Sequence, residues 1–185
     1  MRRLQGTRNP PSRLGYRLTV VVHVVLRVIY GSGMVRRNDL EFVRYVVGRL
    51  EGAGVRAWVF GGWAAELLGL SAPRAHRDVD LLYPADGFEV VDGFLARGDV
   101  QEIVAKRFPH KRAFEVDGVM VELFLVQADA AGSFTDFWGV ARHDWPADVF
   151  DVEADGLRVA SAMAVSGYRA GWEELQAKLQ DRRSG

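Results

Sequence analysis

The chain has 185 residues, of which 49% are hydrophobic and 26% charged, so it is long enough for one soluble domain with its own core. It has no cysteine, which excludes disulfides, thiolate zinc sites and thiol nucleophiles, and which agrees with a reducing cytoplasm as its compartment. The 24 basic and 24 acidic residues balance overall, but six arginines lie in the first 33 residues, and the acidic remainder, with 18 bases against 24 acids, disfavours broad nucleic-acid binding.

The N-terminal segment, residues 1–33, contains no acid and includes the apolar run 18–30. That run is too short to span a bilayer and carries His23 and Arg27, so we expect no association with a membrane. It could be a strand of the domain, an organelle targeting segment, or an extension ahead of a true start at Met34. The abrupt change of composition around YGSGM favours an extension, and we expect one domain over residues 34–185.

Hydrophobic periodicity, interrupted at Gly and Pro, predicts alternating helices and strands along this domain. The predicted helices cover 39–51, 63–70, a segment between Asp86 and Gly98, and 162–180. The predicted strands cover 56–60, 78–82, 101–106, 112–116 and 119–126, with strand-like pieces near 148–152 and 157–159. Capping boxes are expected at Asn38 with Glu41 and at Asp86 with Glu89, and Asp117-Gly118 indicates a hairpin. The expected fold is α/β: a small mixed sheet flanked by helices, with a short C-terminal helix.

Three carboxylates stand out because they occur in strands. Asp78 and Asp80 lie two apart in a predicted strand, so both project from one face while Val79 and Leu81 pack behind them. Glu122 is the lone charge in VMVELFLV, where a buried carboxylate needs a partner. That partner could be Arg112 or Lys106 across the sheet. Alternatively, Glu122 joins the two aspartates to form the oxygen-rich site that Mg²⁺ prefers.

The residues just before this strand are suited to phosphate. Gly61 and Gly62 stand between a strand and a helix, where glycine lets the backbone approach a phosphate group closely. Arg74, His76 and Arg77 precede the aspartate strand and could hold triphosphate oxygens. The structural alternatives are a simple turn for the glycines and a bracing hydrogen bond for His76. Glu66 could orient the loop through Arg74 or Arg77, or be a surface acid.

The sequence GGWAAELLG followed by RAHRDVD, with VELF further on, resembles the small antibiotic nucleotidyltransferases of the aminoglycoside and lincosamide adenylyltransferase type. These belong to the polymerase-β-like nucleotidyltransferase superfamily. The resemblance, over about residues 55–126, implies their fold, bound Mg²⁺, ATP or another nucleoside triphosphate, and a hydroxyl acceptor on a small molecule such as an aminoglycoside or lincosamide. It assigns Gly61 and Gly62 to the nucleotide, Asp78 and Asp80 to the metal ions, and Glu122 as the third carboxylate and general base.

The sequence departs from that family at three places. Glu66 and Glu122 stand where Asp is usual, and the tail lacks the lysine-bearing segment expected near the nucleotide, leaving Arg169 in its place. Two other functions therefore compete: a transferase of the toxin-antitoxin type acting on protein or RNA, and a non-catalytic nucleotide-binding module. The aromatic residues of the segment after Gln127 line an acceptor pocket or fill a satellite core: Trp138, His143 and Trp145.

Overall fold

The computed structural model describes residues 36–172, and within them the chain forms four helices and nine strands. The helices are α1 (Leu40–Gly52), α2 (Gly61–Leu67), α3 (Glu89–Leu95) and α4 (162–172). The strands are β1 (Trp58–Val59), β2 (Asp78–Pro84), β3 (Gln101–Glu102), β4 (Lys111–Val116), β5 (Val119–Asp129), β6 (Gly132–Phe137), β7 (Ala141–Asp144), β8 (Val152–Ala154) and β9 (Leu157–Val159). No helix in this range is long and apolar enough to cross a membrane.

The strands form one mixed sheet, which confirms the predicted α/β fold. Its main path has the order β3-β4-β5-β2-β1-β9-β8. The pairs β2–β5 and β1–β9 are parallel, and the remaining neighbours on this path are antiparallel. The hairpin of β6 and β7 continues from the far end of β5. This order puts the two longest apolar strands, β2 and β5, side by side near the middle of the sheet.

Alternation along β2 separates the core from the functional face. Val79 and Leu81 are fully buried, whereas Asp78 and Asp80 are partly exposed on the opposite face. Helix α1 supplies five buried apolar side chains to the core: Phe42, Val43, Val46, Val47 and Leu50. The apolar residues of β2 therefore pack in the core, and the two aspartates project from the opposite face.

Several predicted boundaries were wrong. The side chain that caps α1 is Asp39, which accepts a hydrogen bond from the Phe42 N–H at 2.9 Å, and not Asn38. Helix α3 begins after Phe88 without any side-chain cap, so the box of Asp86 and Glu89 is absent.

The predicted strand 101–106 is also wrong in part. It ends at Glu102 and is followed by a 3₁₀ turn over Val104–Lys106. The β6–β7 hairpin was not predicted, because its residues carry little apolar alternation. The proposed extension 1–33, and residues 173–180 of the last predicted helix, lie outside the described residues, so the boundary at Met34 stays a prediction.

The hairpin predicted at Asp117-Gly118 is confirmed, and it sets the register of the site. Both residues have positive φ, 49° and 83°, as a two-residue hairpin turn requires. The turn pairs Val116 with Val119, and the antiparallel ladder then places Ala113 directly opposite Glu122. A strand side chain two residues from Ala113 shares its face, so Lys111 becomes a diagonal neighbour of Glu122.

Candidate active site

The three carboxylates singled out in the sequence come together on one face of the sheet. In the parallel β2–β5 pair, Asp80 is in register with Glu122, and Asp78 lies two residues before Asp80 on the same face of β2. All three line a cavity of about 420 Å³. The other lining residues come from the glycine turn, the loop before β2, strand β5 and helix α4: Phe60, Gly61, Gly62, Arg74, Phe124, Tyr168, Arg169 and Trp172.

The glycine turn is fitted tightly against Asp80. The Phe60 N–H donates to the Asp80 carbonyl oxygen at 2.8 Å, which ties the start of α2 to β2. Gly61 has a φ of +64°, in the left-handed region that favours glycine. A Cβ at Gly61 would also collide with the Asp80 carboxylate. Both the backbone and the space at this turn therefore require glycine.

Asp80 carries a strongly perturbed carboxyl group. Burial, followed by the negative charges of Asp78 and Glu122, raises the pKa of Asp80 to about 7. The ammonium groups of Lys111 and Lys106 oppose this effect only in part. A carboxyl group with a raised pKa between like charges is a position where a bound cation would relieve the repulsion.

Glu122 is held by two lysines. Its side chain is almost fully buried, with 7% of the residue exposed. The Lys106 ammonium donates to Oε1 at 2.8 Å, and the Lys111 ammonium lies 3.2 Å from both carboxylate oxygens. In this arrangement no group of three or more His, Asp or Glu side chains within residues 36–172 is placed to hold a metal ion. The carboxylate oxygens of Asp78 and Asp80 are the donor type that a hard cation prefers, whereas the oxygens of Glu122 are held by the two lysines in this structure.

The sequence offered two partners for Glu122, Arg112 and Lys106, and the structure confirms only one of them. Lys106 is confirmed as a partner of Glu122. Arg112 is not, since it lies in β4 opposite Leu123 and its guanidinium pairs instead with both carboxylate oxygens of Asp92 on α3. Successive residues of a strand point to opposite faces, so Arg112 cannot share a face with Glu122. The hairpin register would have identified Lys111 from the sequence.

A half-buried hydrogen-bond network fixes the strand that carries the aspartates. The Asn38 amide donates to the carbonyl oxygens of His76 and Asp78, each at 3.1 Å. Its Oδ1 accepts from the Trp63 indole N–H at 3.1 Å. One side chain thus joins the start of α1, helix α2 and the start of β2. Sequence reasoning missed this role because it treated Asn38 as a helix cap.

His76 braces the glycine turn from the side. Its Nε2 lies 2.9 Å from Glu66 Oε2, and its ring packs on Trp63 with centroids 4.3 Å apart. A Cβ at Gly62 would fall 2.6 Å from His76 Nδ1, so the imidazole and the turn are in close contact. Glu66 also accepts from the Arg74 backbone N–H at 3.1 Å. The hydrogen bond from His76 is the main cause of the lowered pKa of Glu66.

Of the three basic residues that the sequence predicted to bind phosphate, only Arg74 lines the cavity. Arg74 lines the cavity beside Gly62, and so does Arg169, which belongs to α4. Arg77 is exposed and is not among the residues that line this cavity, and neither is His76. The two arginines that do line it therefore come from opposite sides, the loop before β2 and the C-terminal helix.

We expect replacement of His76 by Ala to weaken Mg²⁺-ATP binding, because the loop bearing Arg74 would lose its anchor on Glu66 and Trp63. The dissociation constant, measured by calorimetry, should rise by roughly ten- to hundredfold, the range seen when groups supporting a site are removed. His76→Gln, which retains a donor toward Glu66, should recover part of that loss. Wild-type affinity in the Ala variant would contradict the bracing role.

The aromatic residues after Gln127 form one continuous cluster beside the cavity. Trp145 is a core residue whose indole N–H donates to Thr135 Oγ1 at 2.9 Å. Tyr168 stacks on Trp145 with centroids 5.8 Å apart and also packs on His143 and Phe137. Trp145 thus fills the core, as one of the two sequence readings held. Tyr168 brings the cluster to the cavity wall, which no sequence signal indicated.

Comparisons with known proteins give one family match and several structural matches. The family model for aminoglycoside-2''-adenylyltransferase matches residues 42–154, more than half of the chain. Among solved structures, a lincosamide antibiotic adenylyltransferase, LnuA with lincomycin bound, is 16% identical with a TM-score of 0.58; the match covers 74% of this chain and 89% of that one. ANT(2'')-Ia in complex with adenylyl-2''-tobramycin is 14% identical with a TM-score of 0.50, covering 72% of this chain and 76% of that one.

A third structure, from a Thermotoga maritima protein assigned as a nucleotidyltransferase, is 21% identical with a TM-score of 0.51 and covers 78% of this chain and 90% of that one. At these identities the likeness establishes the nucleotidyltransferase fold. No curated protein sequence matches the chain at a significant level.

Proposed function

Because the chain belongs to the aminoglycoside-2''-adenylyltransferase family and is therefore a nucleotidyltransferase, we propose that it transfers a nucleoside monophosphate from ATP, or another nucleoside triphosphate, to a hydroxyl group of a small molecule. The observation that carries this proposal is the cavity shared by the glycine turn, the two aspartates and Glu122. The family match makes antibiotics such as lincosamides and aminoglycosides acceptor classes to include in the test.

Asp78 and Asp80 are proposed to hold Mg²⁺. Their carboxylates share one strand face. Burial and then the neighbouring negative charges raise the pKa of Asp80, and a cation would neutralise that charge. Carboxylate oxygens are the ligands that Mg²⁺ prefers in proteins. When bound, the metal supplies charge neutralisation at the phosphates and lines up the attacking and leaving oxygens.

The residues around the aspartates are proposed to bind the triphosphate. Gly61 and Gly62 offer a backbone surface without side chains, and Arg74 and Arg169 contribute guanidinium groups to the same cavity. Arginine donates two parallel hydrogen bonds to phosphate oxygens, which suits it to this task. Arg169 would then take the place of the lysine-bearing segment that the family resemblance led us to expect.

Glu122 is proposed to accept the proton of the acceptor hydroxyl. The hydroxyl oxygen then forms a bond to the α-phosphorus, and the bond from that phosphorus to the bridging oxygen breaks. Pyrophosphate leaves with the electron pair of the broken bond.

The test is a screen for pyrophosphate release with purified protein, each of the four common nucleoside triphosphates, Mg²⁺ and a panel of hydroxyl compounds. The panel contains small molecules, a protein fraction and RNA, and a chelator removes the metal in parallel. We expect metal-dependent release with a small-molecule acceptor. Pyrophosphate release only with protein or RNA would show that the acceptor is a macromolecule and not a small molecule. Binding of Mg²⁺-ATP without any pyrophosphate release would indicate a non-catalytic module.

A further inference from the structure

We propose that the acceptor is an anionic hydroxyl compound with an aromatic or apolar body, held beside Glu122 by Lys106 and Lys111. This inference rests on the proposed function, in which Glu122 receives the acceptor proton. It concerns the part of the site next to Glu122 and not the nucleotide end. Three observations carry it: the charges around Glu122, an unpartnered buried donor, and the aromatic side chains between them.

The first observation is the excess of positive charge at Glu122. One carboxylate faces two ammonium groups, at 2.8 Å from Lys106 and 3.2 Å from Lys111. In the proposed complex the charges of Asp78 and Asp80 are used by the cation, so they no longer offset the lysines. An acceptor whose hydroxyl reaches Glu122 necessarily comes close to both ammonium groups. A negative group on that acceptor would be attracted, and a further ammonium group would be repelled.

The second observation is His110, which is 3% exposed. Its Nδ1 accepts a hydrogen bond from the Trp138 backbone N–H at 3.1 Å, so in the neutral ring the proton is on Nε2. That Nε2 has no hydrogen-bond partner among the described residues. A buried donor without a partner is costly. His110 is not among the residues that line the cavity, so an acceptor oxygen would reach its Nε2 only after the aromatic side chains around it shift. Burial, and then the charge of Lys111, lowers the pKa of His110 to about 4, so the ring is a neutral donor.

The third observation is an aromatic wall around these groups. The Lys111 ammonium lies 5.5 Å from the centre of the Phe124 ring, which lines the cavity, and 5.7 Å from the Phe108 ring. His110 is parallel to Phe108, at 5.6 Å, and packs edge-on against Trp138 at 4.5 Å. Trp138 has a φ of 55°, a strained conformation that persists only when its surroundings enforce it. Flat apolar surface beside cations suits an aromatic acid.

The same features disfavour a polycationic acceptor. An aminoglycoside carries several ammonium groups, and its binding is helped by free carboxylates close to the reacting hydroxyl. Glu122 is the buried carboxylate at that point, and its oxygens are already shared by two lysines. The charge around Glu122 therefore separates this chain from an enzyme adapted to polycations.

The experiment uses three probes of one shape: 4-(hydroxymethyl)benzoate, benzyl alcohol and 4-(aminomethyl)benzyl alcohol. Their affinities are measured by NMR titration with the full chain loaded with Mg²⁺ and α,β-methylene-ATP, which cannot transfer its nucleotide. We expect the anion to bind at least about tenfold more tightly than the cation, with benzyl alcohol between them, as electrostatic complementarity predicts. Equal binding, tighter binding of the cation, or no binding of any probe would overturn the inference.

Variants identify the groups responsible. Lys106→Gln and Lys111→Gln should each reduce the preference for the anion, and Lys106→Arg should retain it. Lys106 is partly exposed, so its variant should fold even if that of the more buried Lys111 does not. Arg107→Gln is the matched control, because Arg107 has the same 38% side-chain exposure but pairs with Asp92 and Glu102. If the preference for the anionic probe survives both lysine substitutions, other residues cause the selectivity and the proposal is contradicted.

Binding of α,β-methylene-ATP is measured first and separately. If the nucleotide does not bind, the proposed function fails. If it binds and the probes show no preference for negative charge, only the acceptor class is wrong.

Discussion

Replacement of Asp78 or Asp80 by Asn should reduce metal-dependent pyrophosphate release to background. Each change removes a charge from the face that we propose binds Mg²⁺, and an amide is a poor substitute for a carboxylate as a ligand of this ion. Calorimetry should show a matching loss of Mg²⁺-dependent ATP affinity. The two side chains are neighbours on β2, so neither should compensate for the loss of the other.

The same substitutions should leave the fold intact. The pKa of Asp80 is raised first by burial of its carboxyl group and then by repulsion from Asp78 and Glu122, and an uncharged Asn relieves both effects. The melting temperature of Asp80→Asn should therefore equal or exceed that of the wild type. Glu115→Gln, an exposed change on strand β4, which β5 separates from β2, is the matched control and should alter neither the Mg²⁺-ATP affinity nor the melting temperature. Unchanged Mg²⁺-ATP affinity in both Asn variants would refute the metal assignment.

The second large effect is expected at Glu122. Gln keeps the shape of the side chain but cannot take up the acceptor proton, so transfer should slow by about a hundredfold or more, the usual scale for loss of a positioned base. Mg²⁺-ATP should still bind through Asp78, Asp80 and the glycine turn. Glu122→Asp shortens the side chain by one methylene but keeps a carboxylate. It should retain more activity than Gln.

The melting temperature of the Gln variant distinguishes a chemical role of Glu122 from a purely structural one. Glu122→Gln leaves the largely buried Lys111 ammonium beside a neutral amide, so the melting temperature should fall. A purely structural Glu122 would show that fall together with full turnover at saturating Mg²⁺ and nucleotide. A chemical role requires the rate to fall far more than the loss of folded protein explains. Full turnover in the Gln variant would show the catalytic assignment to be wrong.

The sequence by itself determined the α/β fold and the order of its main elements. Strict alternation in DVDLL placed both aspartates on one face of β2, because the side chains of a strand have a period of two residues. The apolar run into Gly61-Gly62 located the turn, whose left-handed φ only glycine adopts readily. Asp117-Gly118 specified the hairpin and its register, and that register already contained the pairing of Lys111 with Glu122. These features are local, since each depends on residues adjacent in the chain or joined by a short turn.

The tertiary structure alone decided which distant residues complete the site. The role of Asn38 depends on the contact of α1 with β2, and helix periodicity carries no information about that contact. Arg169 and Tyr168 reach the cavity because α4 packs beside Phe60, far away in sequence. The ion pair of Arg112 with Asp92 depends on where α3 lies against the sheet, which the hairpin register does not specify. Packing of elements distant in sequence sets these contacts, and their energies depend on burial and charge that no local pattern records.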